Sequence, residues 1–122
     1  MKSFVVEKDK LVSNIKRINE IANGKRVIAV LKGYGYGLGI VEFANLLKEN
    51  GVDFFAVSEI DEAVALRQAG FTGDILFLTA TSDEKEISRA IVNDVTLSVG
   101  SESCIELADK LANKLVRRLK RI

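Results

Sequence analysis

The feature that most constrains the fold is a short apolar segment that recurs along the chain. Four such segments cover residues 27–31, 53–57, 74–79 and 95–99, and their first residues lie 26, 21 and 21 positions apart. Each segment is too short for a helix and suits a strand that is buried on both faces. The intervals are long enough to hold one crossover helix between successive strands. The spacing therefore predicts four consecutive strand–helix units with parallel strands.

Helix signals fill the intervals between these predicted strands. Gly51 and Gly70 each follow an apolar stripe at helical spacing, so they predict where the first two crossover helices end. Residue pairs typical of a capping box predict the helix starts after strands two, three and four. These pairs are Ser58 with Asp61, Asp83 with Glu86, and Ser103 with Glu106.

Two further helices are predicted before and after this pattern. Residues 9–23 are predicted to form a helix that Gly24 ends. Its apolar face contains Leu11, Ile15, Ile18 and Ala22. A stripe from Cys104 to Ile122 predicts a final helix. No proline or flexible linker interrupts the chain, so we expect one domain over residues 1–122. Periodicity alone leaves two architectures open, an open parallel sheet and an arc of a βα barrel.

The composition restricts the chemistry that this chain can perform. Its net charge of +1 gives no general attraction to nucleic acid or to an anionic membrane. No apolar run approaches the roughly 20 residues that cross a bilayer, and the start lacks the pattern of a secretory signal, so we expect a cytoplasmic protein. The chain has no His, and its single cysteine, Cys104, cannot build a zinc site. An acid, base or nucleophile must therefore come from Lys, Tyr, Arg, Ser or a carboxylate.

Lys32 lies where the first predicted strand ends. In parallel α/β structures this end of the strands carries the functional loops. A lysine that closes a buried strand is partly desolvated, and desolvation favours the neutral amine that reacts with aldehydes. The alternative is a structural lysine that extends to solvent or pairs with an acid.

A glycine-rich loop follows Lys32, with the sequence Gly-Tyr-Gly-Tyr-Gly-Leu-Gly over residues 33–39. Alternating glycine lets a backbone approach a ligand closely, and the start of the following helix can bind an anion. Nucleotide binding is disfavoured, because no Gly-Lys-Ser/Thr follows and the third glycine of a dinucleotide fingerprint would fall on Leu38. Tyr36 is placed either to donate its phenol to a phosphate or to the lysine, or to pack at the rim of the sheet.

This stretch resembles the motif Ala-Val-x-Lys-Ala-x-Ala-Tyr-Gly-His-Gly of the alanine racemase family. The residues that match are Ala29, Val30, Lys32, Tyr36, Gly37 and Gly39. The resemblance continues to about residue 113. It includes Phe55-Ala56-Val57-Ser58, Glu62-Ala63, Leu66-Arg67, Gly70 and Ile75-Leu76-Phe77-Leu78.

The resemblance implies a fold, a cofactor and three site residues. In that family the domain is an eight-stranded βα barrel, and the motif lysine holds pyridoxal 5'-phosphate (PLP) as an internal aldimine. The tyrosine four residues later lies beside the cofactor. These roles carry over to Lys32 as the catalytic and cofactor-binding lysine and to Tyr36 as a cofactor-binding residue, with Leu78 packing near the cofactor. The substrate class that the resemblance implies is an amino acid.

Two departures from the family pattern limit what carries over. Leu38 replaces the usual His, and Gly33 and Gly35 replace the usual Ala, so we expect the hydrogen bonding and stiffness of this loop to differ from the common pattern. The pattern also contains only four βα units, so the resemblance implies half of a TIM-type (βα)8 barrel preceded by an N-terminal helix. In the family, later strands supply most phosphate contacts and an arginine, and a C-terminal β-domain supplies the second catalytic tyrosine across a dimer interface. We therefore expect no racemisation by the isolated chain.

The alternative hypothesis is a non-catalytic half-barrel, engineered or fragmentary, that self-associates. A half-barrel has two open strand edges and an uncovered interior, so we expect a homo-oligomer, with two halves closing one barrel as the simplest form. A third hypothesis, a small PLP-binding regulator of the single-domain barrel type, ranks lower because its flanking sequence lacks the tyrosine–glycine loop.

Overall fold

The computed structural model describes residues 2–31 and 39–120. Strands and helices alternate along them, with the bounds α1 Lys2–Ala22, β1 Ala29–Leu31, α2 Ile40–Glu49, β2 Phe54–Val57, α3 Ile60–Gln68, β3 Asp74–Phe77, α4 Glu84–Val92, β4 Thr96–Leu97 and α5 Glu102–Lys120. The four strands pair in parallel in the order β1-β2-β3-β4. The predicted α/β class and its four strand–helix units are confirmed for the described residues.

The strands are shorter than the apolar segments that predicted them. β1 starts at Ala29 rather than Val27, and β4 contains only Thr96 and Leu97, where the pattern predicted residues 95–99. Val95 instead completes the turn after α4, since its N–H donates to the carbonyl of Ala90 over 2.8 Å. The apolar segments therefore predict which residues are buried, but they do not predict where the hydrogen bonds between strands begin and end.

One face of the sheet packs against the helices. Leu31, Phe55, Val57, Ile75 and Phe77 on this face are at most 1% exposed. They share a cluster with apolar residues of α2, α3 and α4, namely Ala44, Leu47, Ala63, Leu66 and Ala90. Right-handed crossovers between successive parallel strands bring the helices to the same side. Since an open doubly wound sheet has helices on both faces, the one-sided packing selects an arc of a barrel.

The opposite face of the sheet, called the inner face below, is largely open among the described residues. Ile28, Val30 and Leu78 on this face are 45%, 44% and 41% exposed. Ala56 is the buried exception, because its small side chain lies between its strand partners Val30 and Leu76. The expectation of strands buried on both faces is therefore wrong for the described residues. The physical reason is that the helices cover one side only.

The three crossover helices end in the same way. The residue after each C-cap has a positive φ, which is +93° at Gly51, +96° at Gly70 and +54° at Asp94. The following residue then donates its N–H back into the helix, as Phe71 does to the carbonyl of Leu66 over 3.1 Å. This is the Schellman arrangement, and it turns the chain directly into the next strand. The predicted helix ends at Gly51 and Gly70 are confirmed, whereas Asp94 was not recognisable because it is not a glycine.

The predicted helix starts are partly corrected. At α3 the capping box uses Glu59 and Glu62, because the N–H of Glu59 donates to Oε1 of Glu62 over 2.9 Å, and the predicted pair of Ser58 with Asp61 is wrong. Asp83 is confirmed as the cap of α4, since its Oδ1 accepts from the N–H of Lys85 over 2.8 Å. Ser103 is not the cap of α5, which begins at Glu102.

The two long helices differ from their predictions in length and in packing. α1 begins at Lys2, well before residue 9. Among the side chains of its predicted stripe that the structure describes, only Ile15 is buried, whereas Ile18 is half exposed. The side chain of Leu11 lies outside the described residues. α5 ends at Lys120, and residues 121 and 122 of the predicted final helix also lie outside them. Among the described residues, no helix combines the length and apolarity that crossing a membrane requires.

Candidate active site

The carboxyl ends of the four strands form one edge of the sheet. Leu31, Val57, Phe77 and Leu97 end β1 to β4 and are neighbours in the parallel register. The loops that follow these residues lead to the helices α2 to α5. This carboxyl edge is where parallel α/β proteins carry their functional groups, so the candidate site residues are best located relative to it.

The sequence-predicted lysine and tyrosine follow Leu31 along the chain. Lys32 and Tyr36 lie outside the described residues, as do the other loop residues from 33 to 38. The residue that precedes Lys32 is well defined. Leu31 is completely buried and is paired in register with Val57. The structure thus fixes the point from which the chain continues into Lys32.

Leu78 is the one predicted site residue that the structure describes. It directly follows the last residue of β3, and its N–H donates to the carbonyl of Val57 over 2.8 Å. Its side chain is 41% exposed on the inner face, which also carries Val30. An exposed leucine where the inner face meets the carboxyl edge presents an apolar surface against which a flat ring can pack.

Two hydroxyl groups tie the backbone on either side of Leu78 to the neighbouring strands. Oγ1 of Thr79 donates to the carbonyl of Ser58 over 2.8 Å, and Oγ of Ser98 donates to the carbonyl of Phe77 over 2.6 Å. Sequence reasoning did not identify Thr79 or Ser98. The available signal was the presence of a hydroxyl residue one or two positions after each of these strands.

A second set of polar contacts joins the loops of this edge to the helix starts. Oγ of Ser58 donates to Oε1 of Glu62 over 3.4 Å, and Oγ1 of Thr81 donates to Oε1 of Glu86 over 2.9 Å. Each of these glutamates therefore accepts a hydrogen bond that stabilises the loop before its helix. The helix α2 differs, since its N-cap is Gly39, which has no side chain to cap the first turn.

The amino edge of the sheet is held by two arginines. Arg67 of α3 donates to the backbone carbonyls of Phe71, Gly73, Asn93 and Asp94 over 2.7 to 2.9 Å. It thereby joins the turns that lead into β3 and β4.

Arg26 lies before β1 and bridges two carboxylates at the same edge. Its Nη1 lies 2.6 Å from Oδ2 of Asp74, and its Nη2 lies 3.4 Å from Oδ1 of Asp53. The hydrogen bond to Asp74 raises the pKa of Arg26 above its ordinary value, so the guanidinium stays charged. Both arginines of this edge are thus bound to structural partners, and the carboxyl edge is the better candidate for chemistry.

Comparison with known proteins identifies relatives of this chain. Residues 6–121 match the family described as alanine racemase, N-terminal domain. The chain is 38% identical over 112 residues to the alanine racemase of Pediococcus pentosaceus, which covers 91% of this chain and 30% of that protein. The chain spans 26% to 30% of the length of the first curated relatives that it matches.

Solved structures show the same arrangement of strands and helices. An alanine racemase of Clostridium difficile 630 has a TM-score of 0.78 at 31% identity, covering 88% of this chain and 29% of that one. A histidine racemase from Leuconostoc mesenteroides subsp. sake has a TM-score of 0.76 at 30% identity, covering 85% of this chain and 28% of that one. The predicted partial TIM-type barrel is confirmed.

Proposed function

The chain belongs to the family of alanine racemase N-terminal domains, and from this premise we propose that it carries the cofactor lysine, Lys32, of a PLP-dependent amino-acid racemase. The observation that carries the proposal is the burial of Leu31 against the helices. Successive side chains of a strand point to opposite faces, so we propose that Lys32, the residue after buried Leu31 in the sequence, faces the inner side. On that face it would share the carboxyl edge with Val30 and Leu78.

The described residues fit one part of the proposed cofactor. Val30 and Leu78 are 44% and 41% exposed, and they offer an apolar surface of the kind that packs against an aromatic ring. Burial by the cofactor would remove this surface from water. The start of α2 at Gly39 is not assigned to the phosphate, because Glu42 places a carboxylate in the same first turn. The family resemblance assigns most phosphate contacts to later strands of the barrel.

The proposed roles follow from the chemistry of these side chains. Bound PLP supplies an electron sink for the pair of electrons left when the substrate loses its Cα proton. Nζ of Lys32 would hold the cofactor until the amino group of the substrate takes its place, and the freed amine would then carry the Cα proton on one face of the substrate. The phenol of Tyr36 donates a hydrogen bond beside the cofactor, and Leu78 orients the ring by contact.

Racemisation needs a second proton carrier on the opposite face. The family resemblance assigns this role to a tyrosine of a different domain. We therefore expect a polypeptide of these 122 residues alone to bind cofactor without interconverting L- and D-amino acids. Measurable interconversion that depends on Lys32 would contradict this part of the proposal.

The substrate is proposed only as an amino acid. The structural relatives include a histidine racemase as well as alanine racemases, at nearly the same similarity. Leu38 stands where the family motif has His, so the loop beside the proposed site differs from the common pattern.

Titration with PLP tests the proposal. An absorbance band at the edge of the visible range should grow to saturation in the unaltered chain and be absent in Lys32→Ala. The matched control is Lys25→Ala, which removes an exposed lysine near the opposite end of β1 and should leave the band unchanged. An equal loss of the band in both variants, or its persistence in Lys32→Ala, would reject Lys32 as the cofactor lysine.

The open inner face supports a second candidate function, self-association of this half of a barrel. Ile28, Val30 and Leu78 are each more than 40% exposed on one face of the sheet. Covering them would remove apolar surface from water. Sedimentation should show association that weakens in Val30→Glu and persists in Val92→Glu, which alters a 68% exposed valine of α4. A monomer at high concentration would reject this candidate.

A further inference from the structure

We propose that Thr79 and Ser98 are positioning residues, whose hydroxyl groups hold the backbone of Leu78 at the carboxyl edge and thereby set the affinity for the ring of PLP. The inference rests on the proposed function, because it assumes that Leu78 packs against the cofactor. It adds two residues to the site that have no proposed contact with the cofactor themselves.

The position of Leu78 depends on its backbone more than on side-chain packing. Its side chain is 41% exposed, whereas that of the preceding Phe77 is 1% exposed and lies in the core. Core packing therefore fixes the chain at Phe77 and ends there. Beyond this residue, hydrogen bonds to neighbouring strands are the remaining restraint.

Three such hydrogen bonds surround Leu78. Its own N–H donates to the carbonyl of Val57 over 2.8 Å, which extends the pairing of β3 with β2 by one residue. Oγ1 of Thr79 then donates to the carbonyl of Ser58 over 2.8 Å. Thr79 thus continues the attachment to the β2 side after the backbone ladder has ended.

Ser98 supplies the attachment on the other side. The strand β4 ends at Leu97, and Oγ of Ser98 donates over 2.6 Å to the carbonyl of Phe77, the residue just before Leu78. The carbonyl of Phe77, before Leu78, is therefore held from the β4 side. Thr79, after Leu78, is held from the β2 side. Loss of either hydroxyl removes one of these three restraints and leaves the segment less tightly held.

The effect should be local because neither hydroxyl lies in the apolar core. Thr79 is exposed and Ser98 is half-buried, so removing one hydroxyl leaves the packing of Phe77 and its neighbours intact. The segment around Leu78 then samples more conformations, and binding of a flat ring must order it again. A hydrogen bond of ordinary net strength corresponds to a change of about fivefold in such an equilibrium.

The test compares variants that remove or keep each hydroxyl in the full chain. Thr79→Val and Ser98→Ala remove it, Thr79→Ser keeps it, and Thr72→Val is the matched control at an exposed threonine before β3. The first readout is amide hydrogen exchange of Leu78 without PLP, and the second is the dissociation constant for PLP from the absorbance titration. The urea midpoint reports whether each variant is folded.

We expect Thr79→Val and Ser98→Ala to speed exchange at Leu78 and to weaken PLP binding, each by about fivefold. Thr79→Ser and Thr72→Val should match the unaltered chain, and the urea midpoints should stay close together. Unchanged exchange at Leu78 in both hydroxyl-deleted variants would overturn the positioning role. Faster exchange with unchanged PLP affinity would overturn its link to the cofactor.

Failure of the proposed function gives a different pattern. If the unaltered chain binds no PLP at Lys32, the link to cofactor affinity is overturned together with the proposed function. The exchange rates of Leu78 then still decide whether the two hydroxyls hold this backbone. If Thr79→Val does not fold, Ser98→Ala provides the same decision from the other side of the segment.

Discussion

The two faces of the sheet differ sharply at adjacent residues. Phe77 is 1% exposed and packs with the helices, whereas Leu78, the next residue, is 41% exposed on the inner face. The same contrast separates Leu31 from Val30 in β1. Because the helices cover one face only, that face provides the stability of the fold. The inner face is left available for binding, and the proposed site lies where it meets the carboxyl edge.

The largest expected effect is on the helix-facing side. Phe77→Ala removes an aromatic side chain from the core, so we expect a loss of about 3–5 kcal/mol in the free energy of unfolding. Urea denaturation followed by circular dichroism measures this loss.

Substitution of the adjacent residue, Leu78, should have little effect on stability and a larger effect on cofactor binding. Leu78→Ala should cost less than about 1 kcal/mol of stability, since the side chain is largely exposed. It should nevertheless weaken PLP binding. Equal losses of stability in Phe77→Ala and Leu78→Ala would show that the two faces are not as different as the structure indicates.

The amino edge of the sheet should contribute to the stability of the fold and not to cofactor binding. Arg67→Met removes four hydrogen bonds to the carbonyls of two turns, so we expect a loss of about 3 kcal/mol. The control is Arg89→Met on α4, which breaks one exposed ion pair with Asp61 and should cost less than about 1 kcal/mol. Thermal unfolding of both variants measures the difference. A similar melting temperature for the two would contradict the role of Arg67.

The smallest effects concern the turns that lead into the strands. Gly70 and Asp94 occupy equivalent positions after α3 and α4, with φ of +96° and +54°. Gly70→Ala should destabilise the fold by about 1 kcal/mol, because a side chain is strained at this φ. Asp94→Gly should stabilise it by about 0.5–1 kcal/mol for the same reason. Changes of the same sign in the two variants, measured by urea denaturation, would count against this explanation.

The sequence predicted the order of the elements better than their ends. The alternation of strand and helix depends on burial, which the apolar segments report, and Gly51 and Gly70 mark helix ends because their turns need a positive φ. The two-residue strand β4 was overestimated, since Val95 is buried in a turn. The apolar segments suggested strands that are buried on both faces, and only the half-barrel that the resemblance implies predicted an uncovered inner face. Whether both faces of a strand are covered depends on the side to which the helices pack, and strand composition does not encode it.

For the candidate site, sequence and structure contributed different parts. The motif around Lys32 was read from the sequence, and the proposed roles of Lys32 and Leu78 came from its resemblance to the alanine racemase family. The contacts of Arg67, Thr79 and Ser98 came from the structure, because each joins segments that are separated in sequence. Thr79 and Ser98 reach partners 21 residues away, and no local pattern predicts such a contact.

Chemical trapping of the cofactor lysine tests the central claim most directly. The chain is incubated with PLP, reduced with borohydride, digested, and its lysine-containing peptides are compared by mass spectrometry. We predict that the adduct lies on Lys32 at PLP concentrations that leave the exposed lysines, such as Lys25 and Lys48, unmodified. An adduct spread evenly over these lysines, or absent from Lys32, would contradict the account.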